Sequence, residues 1–175
     1  TQILLSDDRH THWSYASLTG PEYWGELHDD YKACSDGEEQ SPVALHNDDS
    51  TDERKWSFDL DYKETTFYVE NNGHTIQANV GVGSSNKLII NGTDYELAQF
   101  HFHSPSEHTL DGHQYEMEVH LVHIDEDENL AVLGVLVEEG DKNETLEEMW
   151  EVIPEETSEA DQAVSLNPSA LVPSN

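Results

Sequence analysis

Five residues, Gln99-Phe100-His101-Phe102-His103, constrain this chain more than any other stretch. Polar and aromatic side chains alternate with period two, a pattern that an extended strand sorts into two chemically distinct faces. His101 and His103 then share one face, and Phe100 and Phe102 share the other. A second alternating stretch, Glu118-Val119-His120-Leu121-Val122, places His120 among apolar neighbours. Two imidazoles in i, i+2 register and a third from a neighbouring strand supply three corners of a tetrahedron. A zinc site with three protein ligands and an open fourth corner is the catalytic pattern, whereas structural sites fill all four. Gln99 and Glu118 each lie two residues before a histidine, roughly 6–7 Å along the strand and on the same face. Each can accept the outer N–H of a metal-bound imidazole, which fixes tautomer and ring orientation. The plain alternative is a set of satisfied core histidines. Strict register with matched acceptors favours His101, His103 and His120 as zinc ligands, backed by Gln99 and Glu118.

The remaining sequence reads as one β-rich domain over residues 1–175. Residues 12–34 mix aromatics, Gly20-Pro21 and polar residues without a period, which predicts loop with short helical turns. Phe67–Glu70 and Thr75–Val80 flank Asn71-Asn72-Gly73, a hairpin signal. Lys87–Ile90 and Tyr95–Leu97 flank Asn91-Gly92, a second one. Residues 98–103, 115–123 and 130–137 are the apolar, β-branched or aromatic strands expected at a sheet centre. Leu146, Met149 and Trp150 form an i, i+3, i+4 stripe that predicts a helix over 144–152, stopped by Pro154. The tail, 155–175, is polar and carries no predicted element.

Composition narrows the partners. Asp and Glu number 38 against 7 Lys and Arg, a formal charge of −31. Low hydrophobicity with high charge can mean disorder, but four Trp, seven Tyr and the segments Leu88–Ile90 and Leu130–Val137 can supply a core. So negative a surface repels nucleic acid and anionic membranes. No apolar run is long enough for membrane insertion. The acidic residues are dispersed rather than blocked, which reads as a halophilic or salt-tolerant surface. Calcium binding is the competing reading, but acidic repeats are lacking.

Several segments resemble the α-class carbonic anhydrases. They are Gln99–His103, Ser106-Glu107-His108-Thr109, Glu118–His123, His12-Trp13-Ser14-Tyr15, Gly20-Pro21-Glu22-Tyr23-Trp24, Gln40-Ser41-Pro42-Val43, Asn71-Asn72-Gly73-His74 and Leu130–Gly134. They follow the family's order over nearly the whole chain. The resemblance implies a mainly β (α+β) fold: a single domain with a central, largely antiparallel twisted sheet and a few short peripheral helices. It implies zinc-dependent hydration of carbon dioxide to bicarbonate and a proton, with zinc-bound hydroxide as the attacking group. His74 matches the family's proton shuttle, and Tyr15, Asn72 and Gln77 match positions that order active-site solvent, although Asn is common where Gln77 stands. Glu107 matches a buried carboxylate that orients a threonine beside the metal, and Val122 and Val132 match the apolar wall for the substrate. His108 and His123 match structural positions, and His10, His12, His28, His46 and His113 read as surface or structural.

The resemblance also shows departures. Bacterial and secreted members pair a cysteine at the position of Cys34 with one in a later segment, which implies a secreted, periplasmic or extracellular setting. This chain has one cysteine and stops at Asn175, before that segment and before the threonine that Glu107 would orient. Relative to the family it reads as C-terminally incomplete, so a catalytically silent zinc-binding module is the alternative to an enzyme. A homodimer or domain swap that covers the sheet is a further expectation. If the acidic surface is tuned to salt, which shortens the Debye length to about 3 Å at 1 M, dialysis into dilute buffer will abolish the near-ultraviolet circular dichroism. An unchanged spectrum there would remove the halophilic reading.

Overall fold

The computed structural model describes residues 12–49 and 57–173, which fall into two compact units, Thr1–Pro42 and Val43–Asn175. In the first, short helical turns run through Ser17–Thr19, Pro21–Tyr23, Trp24–Leu27, Asp29–Tyr31 and Ala33–Asp36, as the aperiodic sequence predicts. The Trp24 Nε1–H donates to the carbonyls of both Ser14 and Thr19 at 3.0 Å, so one indole closes the first loop. Cys34 is free and exposed, and His10 lies outside the described residues.

The second unit is built of strands. In chain order they are β1 (Ala44–Leu45), β2 (Phe58–Asp61), β3 (Thr65–Asn71), β4 (Ile76–Val80), β5 (Lys87–Ile90) and β6 (Thr93–His103). Then come β7 (Thr109–Leu110), β8 (His113–Gln114), β9 (Met117–Ile124), β10 (Leu130–Val137) and β11 (Ser158–Leu166). The main sheet has the order β10-β9-β6-β4-β3-β11, and β5 bridges β6 to β2. Its pairings are all antiparallel. A small sheet, β1-β7-β8, contains one parallel pairing, β1 with β7. The mainly β fold with a largely antiparallel sheet and few short helices is therefore the one expected.

Both predicted hairpins form. Asn91 and Gly92, at φ 50 and 86, make the two-residue link between β5 and β6. Positive φ at both positions is what the I′ turn of a tight hairpin requires. Between β3 and β4, Asn72 Oδ1 accepts the backbone N–H of His74 and of Thr75 at 3.0 and 2.9 Å.

Three expectations need correction. Tyr95–Leu97 and residues 98–103 are not separate strands but one strand, β6, with a register shift between Leu97 and Gln99 on its β9 side. The shift inserts Ala98 as an extra residue and reverses the alternation, so that Leu97 joins Phe100 and Phe102 in the core. Second, the polar tail contains β11, which pairs with β3. Only its last positions, Val164 and Leu166, are buried, and its pairing slips between Ser158 and Gln162. So weak an alternation leaves little periodic signal. Third, β10 sits at the end of the sheet order among the described residues, not at its centre, and Leu130 and Val132 are exposed. The helix is Glu144–Trp150, two residues shorter than predicted, with Asn143 Oδ1 capping the N–H groups of Thr145 and Leu146. No helix among the described residues is long and apolar enough to cross a membrane.

The core lies on the face opposite His101 and His103. Phe67, Phe100, Leu121, Val69, Val119 and Met149 are its most deeply buried side chains. Phe67 meets Phe100 edge-on at 5.0 Å between ring centroids, and Phe102 meets Trp150 at 5.0 Å. His123 belongs to this layer, its Nε2 2.7 Å from the Tyr62 hydroxyl and its Nδ1 3.3 Å from the Ala131 carbonyl. Phe100→Ala, which empties the centre of this layer, is expected to lower unfolding free energy by about 3–5 kcal/mol in a urea titration.

Candidate metal centre

Antiparallel register carries the candidate residues into rows. Gln77 on β4 faces His101 on β6, which faces His120 on β9, which faces Gly134 on β10. One row along, Asn79, Gln99, Val122 and Val132 stand opposite one another in turn. His103 faces Glu118 in the next row. Directly opposed residues share a face, so the sheet gathers His101, His103 and His120 on one surface.

The ring nitrogens converge. One ligand atom from each of His101, His103 and His120 lies within 4.8 Å of the other two. Small ring rotations close that to the ~3.3 Å edge of a tetrahedron with bonds of about 2.0–2.1 Å. The outer nitrogens of His101 and His120 are engaged. His101 Nδ1–H donates to Gln99 Oε1 at 2.8 Å, which leaves Nε2 as the lone-pair donor. His120 Nε2–H donates to Glu118 Oε1 at 2.7 Å, which leaves Nδ1. The donor set of three imidazoles suits zinc, so the residues fit the metal that the sequence suggests.

Glu118 is the anchor. It is buried at 1% exposure, and both of its oxygens are filled. Oε2 accepts the backbone N–H of Glu107 and of His108 at 2.9 and 2.8 Å. Oε1 accepts from His108 Nδ1 at 2.6 Å as well as from His120. Burial pushes its pKa up, but the His108 backbone N–H and the His120 and His108 rings outweigh that and hold it below the usual carboxylate range. Glu118, His108 and His120 form a second cluster of ligand-type residues, here joined by N–H···O bonds. Gly134 makes room for it: a Cβ there would sit 3.1 Å from Glu118 Oε1.

The loop after β6 delivers Glu107. Ser106 is buried; its hydroxyl donates to the His108 carbonyl at 2.7 Å and accepts the Tyr115 N–H at 2.9 Å. Glu107 Oε2 then lies 3.5 Å from His103 Nε2 and 4.0 Å from His120 Nδ1. The remaining candidates are placed as follows. His74 is exposed in the β3–β4 turn that Asn72 caps. Gln77 Nε2 donates to Asn79 Oδ1 at 2.8 Å. Val122 and Val132 are cross-strand neighbours on the histidine face. Tyr15 belongs to the first unit, edge-on to Trp13 and Trp24. The sequence reading did not single out Ser106 or Gly134. Gly134 had a usable signal, since glycine inside an apolar strand marks a close approach; Ser106 had only its membership of the segment Ser106-Glu107-His108-Thr109.

Known proteins are similar to this chain over most of its length. The family model described as eukaryotic-type carbonic anhydrase matches residues 19–175. A carbonic anhydrase of Neisseria gonorrhoeae is 40% identical over 94% of this chain and 64% of its own length. One of Klebsiella pneumoniae is 39% identical over 93% of this chain and 66% of its own. The chain thus spans about two thirds of the length of these curated relatives or slightly less. The α-carbonic anhydrase of Thermovibrio ammonificans, solved with the inhibitor sulfanilamide, superposes with a TM-score of 0.86 at 38% identity, covering 94% of this chain and 73% of that one.

Burial, and then repulsion from His103 and His120, push the His101 pKa down to about 4. Burial lowers His103 too, against the opposing pull of Glu107. With a depressed folded-state value, the unfolded chain binds more protons at His101 between pH ~6.5 and the folded midpoint. That contribution to stability is present above pH ~6.5 and is lost as pH falls through the folded value. In zinc-free protein, the His101 ring resonances are expected to titrate with a midpoint near 4; a midpoint near 6.5 would contradict the burial argument.

Proposed function

The chain belongs to the eukaryotic-type carbonic anhydrase family, and from that premise we propose that it carries out zinc-dependent hydration of carbon dioxide to bicarbonate and a proton. The observation that carries the proposal is the convergence of three imidazole nitrogens within 4.8 Å, with the outer nitrogens of His101 and His120 held by Gln99 and Glu118. In this reading His101 and His103 bind zinc through Nε2 and His120 through Nδ1. Zinc, when bound, acidifies a coordinated water to a pKa near 7, a value taken from carbonic anhydrase itself as the general example.

The chain's own residues do the rest. Neutral ligands leave the ion its full charge, and the burial that depresses His101 and His103 keeps them neutral at pH 7. Val122 and Val132 present the apolar wall that carbon dioxide, an apolar substrate, needs beside the metal. His74, exposed in its turn, hands the product proton to solvent, since an imidazole titrates close to ambient pH. Asn72 and Gln77 order the solvent it draws from. A secreted, periplasmic or extracellular setting belongs to the same reading. The alternative reading is a zinc-holding module without turnover.

Stopped-flow carbon dioxide hydration by the zinc-loaded chain in molar salt, beside His120→Ala, decides between them. Turnover that disappears in the variant is the expected result. One equivalent of zinc bound through His120 without turnover would transfer the proposal to the module.

A further inference from the structure

We infer that the Thr75 hydroxyl is the tie that sets the His74 turn against the strand of the metal cluster, which makes Thr75 a positioning residue for proton export. This rests on the role given to His74 above. Thr75 directly follows His74 and precedes β4. The β4–β6 ladder runs from Asn79–Gln99 to Gln77–His101 and stops there. Beyond that point the Thr75 side chain takes over. Its hydroxyl accepts the Phe102 backbone N–H at 3.3 Å. It donates to the Phe102 carbonyl, the closer of two acceptors, the other being the Ile76 carbonyl at 3.3 Å. One side chain thus stands in for a further backbone pair. Phe102 is buried, so its main-chain groups require such partners.

Phe102 lies between His101 and His103, so the bond lands on the main chain that carries two members of the cluster. From His74 to that main chain the path is one peptide unit and one hydroxyl. Other bonds of the turn fix its shape. Asn72 Oδ1 accepts the N–H groups of His74 and Thr75, and Asn71 Oδ1 accepts that of Gly73 at 3.0 Å. Asn71 Nδ2 donates to the Pro154 carbonyl at 3.3 Å, which ties the turn to the chain ahead of β11. The Thr75 bond adds the hold on β6 and brings it to the residue beside His74. Branching at Cβ restricts χ1, so little freedom is lost in keeping the hydroxyl there. A proton acceptor works only within hydrogen-bond reach or through water, and a misplacement of about 1 Å can cost on the order of a hundredfold in rate.

The test uses the full chain in concentrated salt beside three variants. Thr75→Val removes the hydroxyl at nearly constant shape, Thr75→Ala removes it and leaves room, and Thr75→Ser keeps it, so either of the first two serves if the other does not fold. Proton export follows bicarbonate release and therefore enters kcat but not kcat/KM. In stopped-flow carbon dioxide hydration by zinc-loaded protein, kcat is expected to fall about tenfold in Thr75→Val and Thr75→Ala, the effect of a displacement under 1 Å. Unchanged kcat/KM, recovery of kcat with added imidazole and parent-like turnover in Thr75→Ser complete the expected pattern. In zinc-free protein, amide hydrogen exchange at Phe102 is expected to quicken in the two variants without the hydroxyl and not in Thr75→Ser. Equal kcat or equal Phe102 exchange in all four proteins would overturn the inference. So would a parallel loss of kcat and kcat/KM that imidazole does not restore, since Thr75 would then support the cluster and not the turn. A parent chain that holds zinc without turnover would overturn the proposed function and this inference together.

Discussion

The Glu118 carboxylate is the point on which the candidate site depends. A buried carboxylate is expensive unless its oxygens are filled. Here two backbone N–H groups and two imidazole N–H groups fill them, from Glu107, His108 and His120. The group stays ionised because its donors are already in place when it is buried. Its bonds join β9 to the loop after β6, so one anion orients a histidine of the cluster and positions the loop that carries Glu107. Removing it would leave four half-buried donors to be satisfied some other way, at a cost of up to about 1–3 kcal/mol for each that stays unmet. The bare backbone at Gly134 is the steric counterpart, since any side chain there would press on Glu118 Oε1.

The sheet serves both core and site by keeping its two faces chemically separate. On β6 and β9 the same backbone carries Phe100, Phe102, Val119 and Leu121 to the core and His101, His103 and His120 to the other side. Packing on the aromatic face therefore sets the spacing of the imidazoles, because a rigid interior transmits strand position to both faces. The shift at Ala98 adjusts this arrangement. It allows Leu97 to pack inward while Gln99, two residues on, points to His101. His101 and His120 differ in the nitrogen they present, and that difference follows from which neighbour accepts the other one.

Much of this was legible in the sequence because it is local. Period-two alternation in Gln99–His103 and Glu118–Val122 assigns faces directly from the pleat, and Asn91-Gly92 encodes its turn through the positive φ it tolerates. The acceptors Gln99 and Glu118 could be named from the i, i+2 spacing alone. The strand β11 could not, since it keeps its place through hydrogen bonds to β3 and two buried side chains. Nor could the place of β10 at the end of the sheet order among the described residues, since its apolar residues resemble those of a central strand.

By itself the sequence determined which side chains share a face, where the two Asn-marked hairpins fall and which histidines can act together. These follow from the geometry of single strands and turns. Only the tertiary structure decided which strands became neighbours and where the alternation slipped. It alone brought the Ser106–His108 loop onto Glu118, and so a second carboxylate, Glu107, within 3.5 Å of His103. Those outcomes depend on saturating buried polar groups and filling a common core across distant parts of the chain. No local pattern can express that condition.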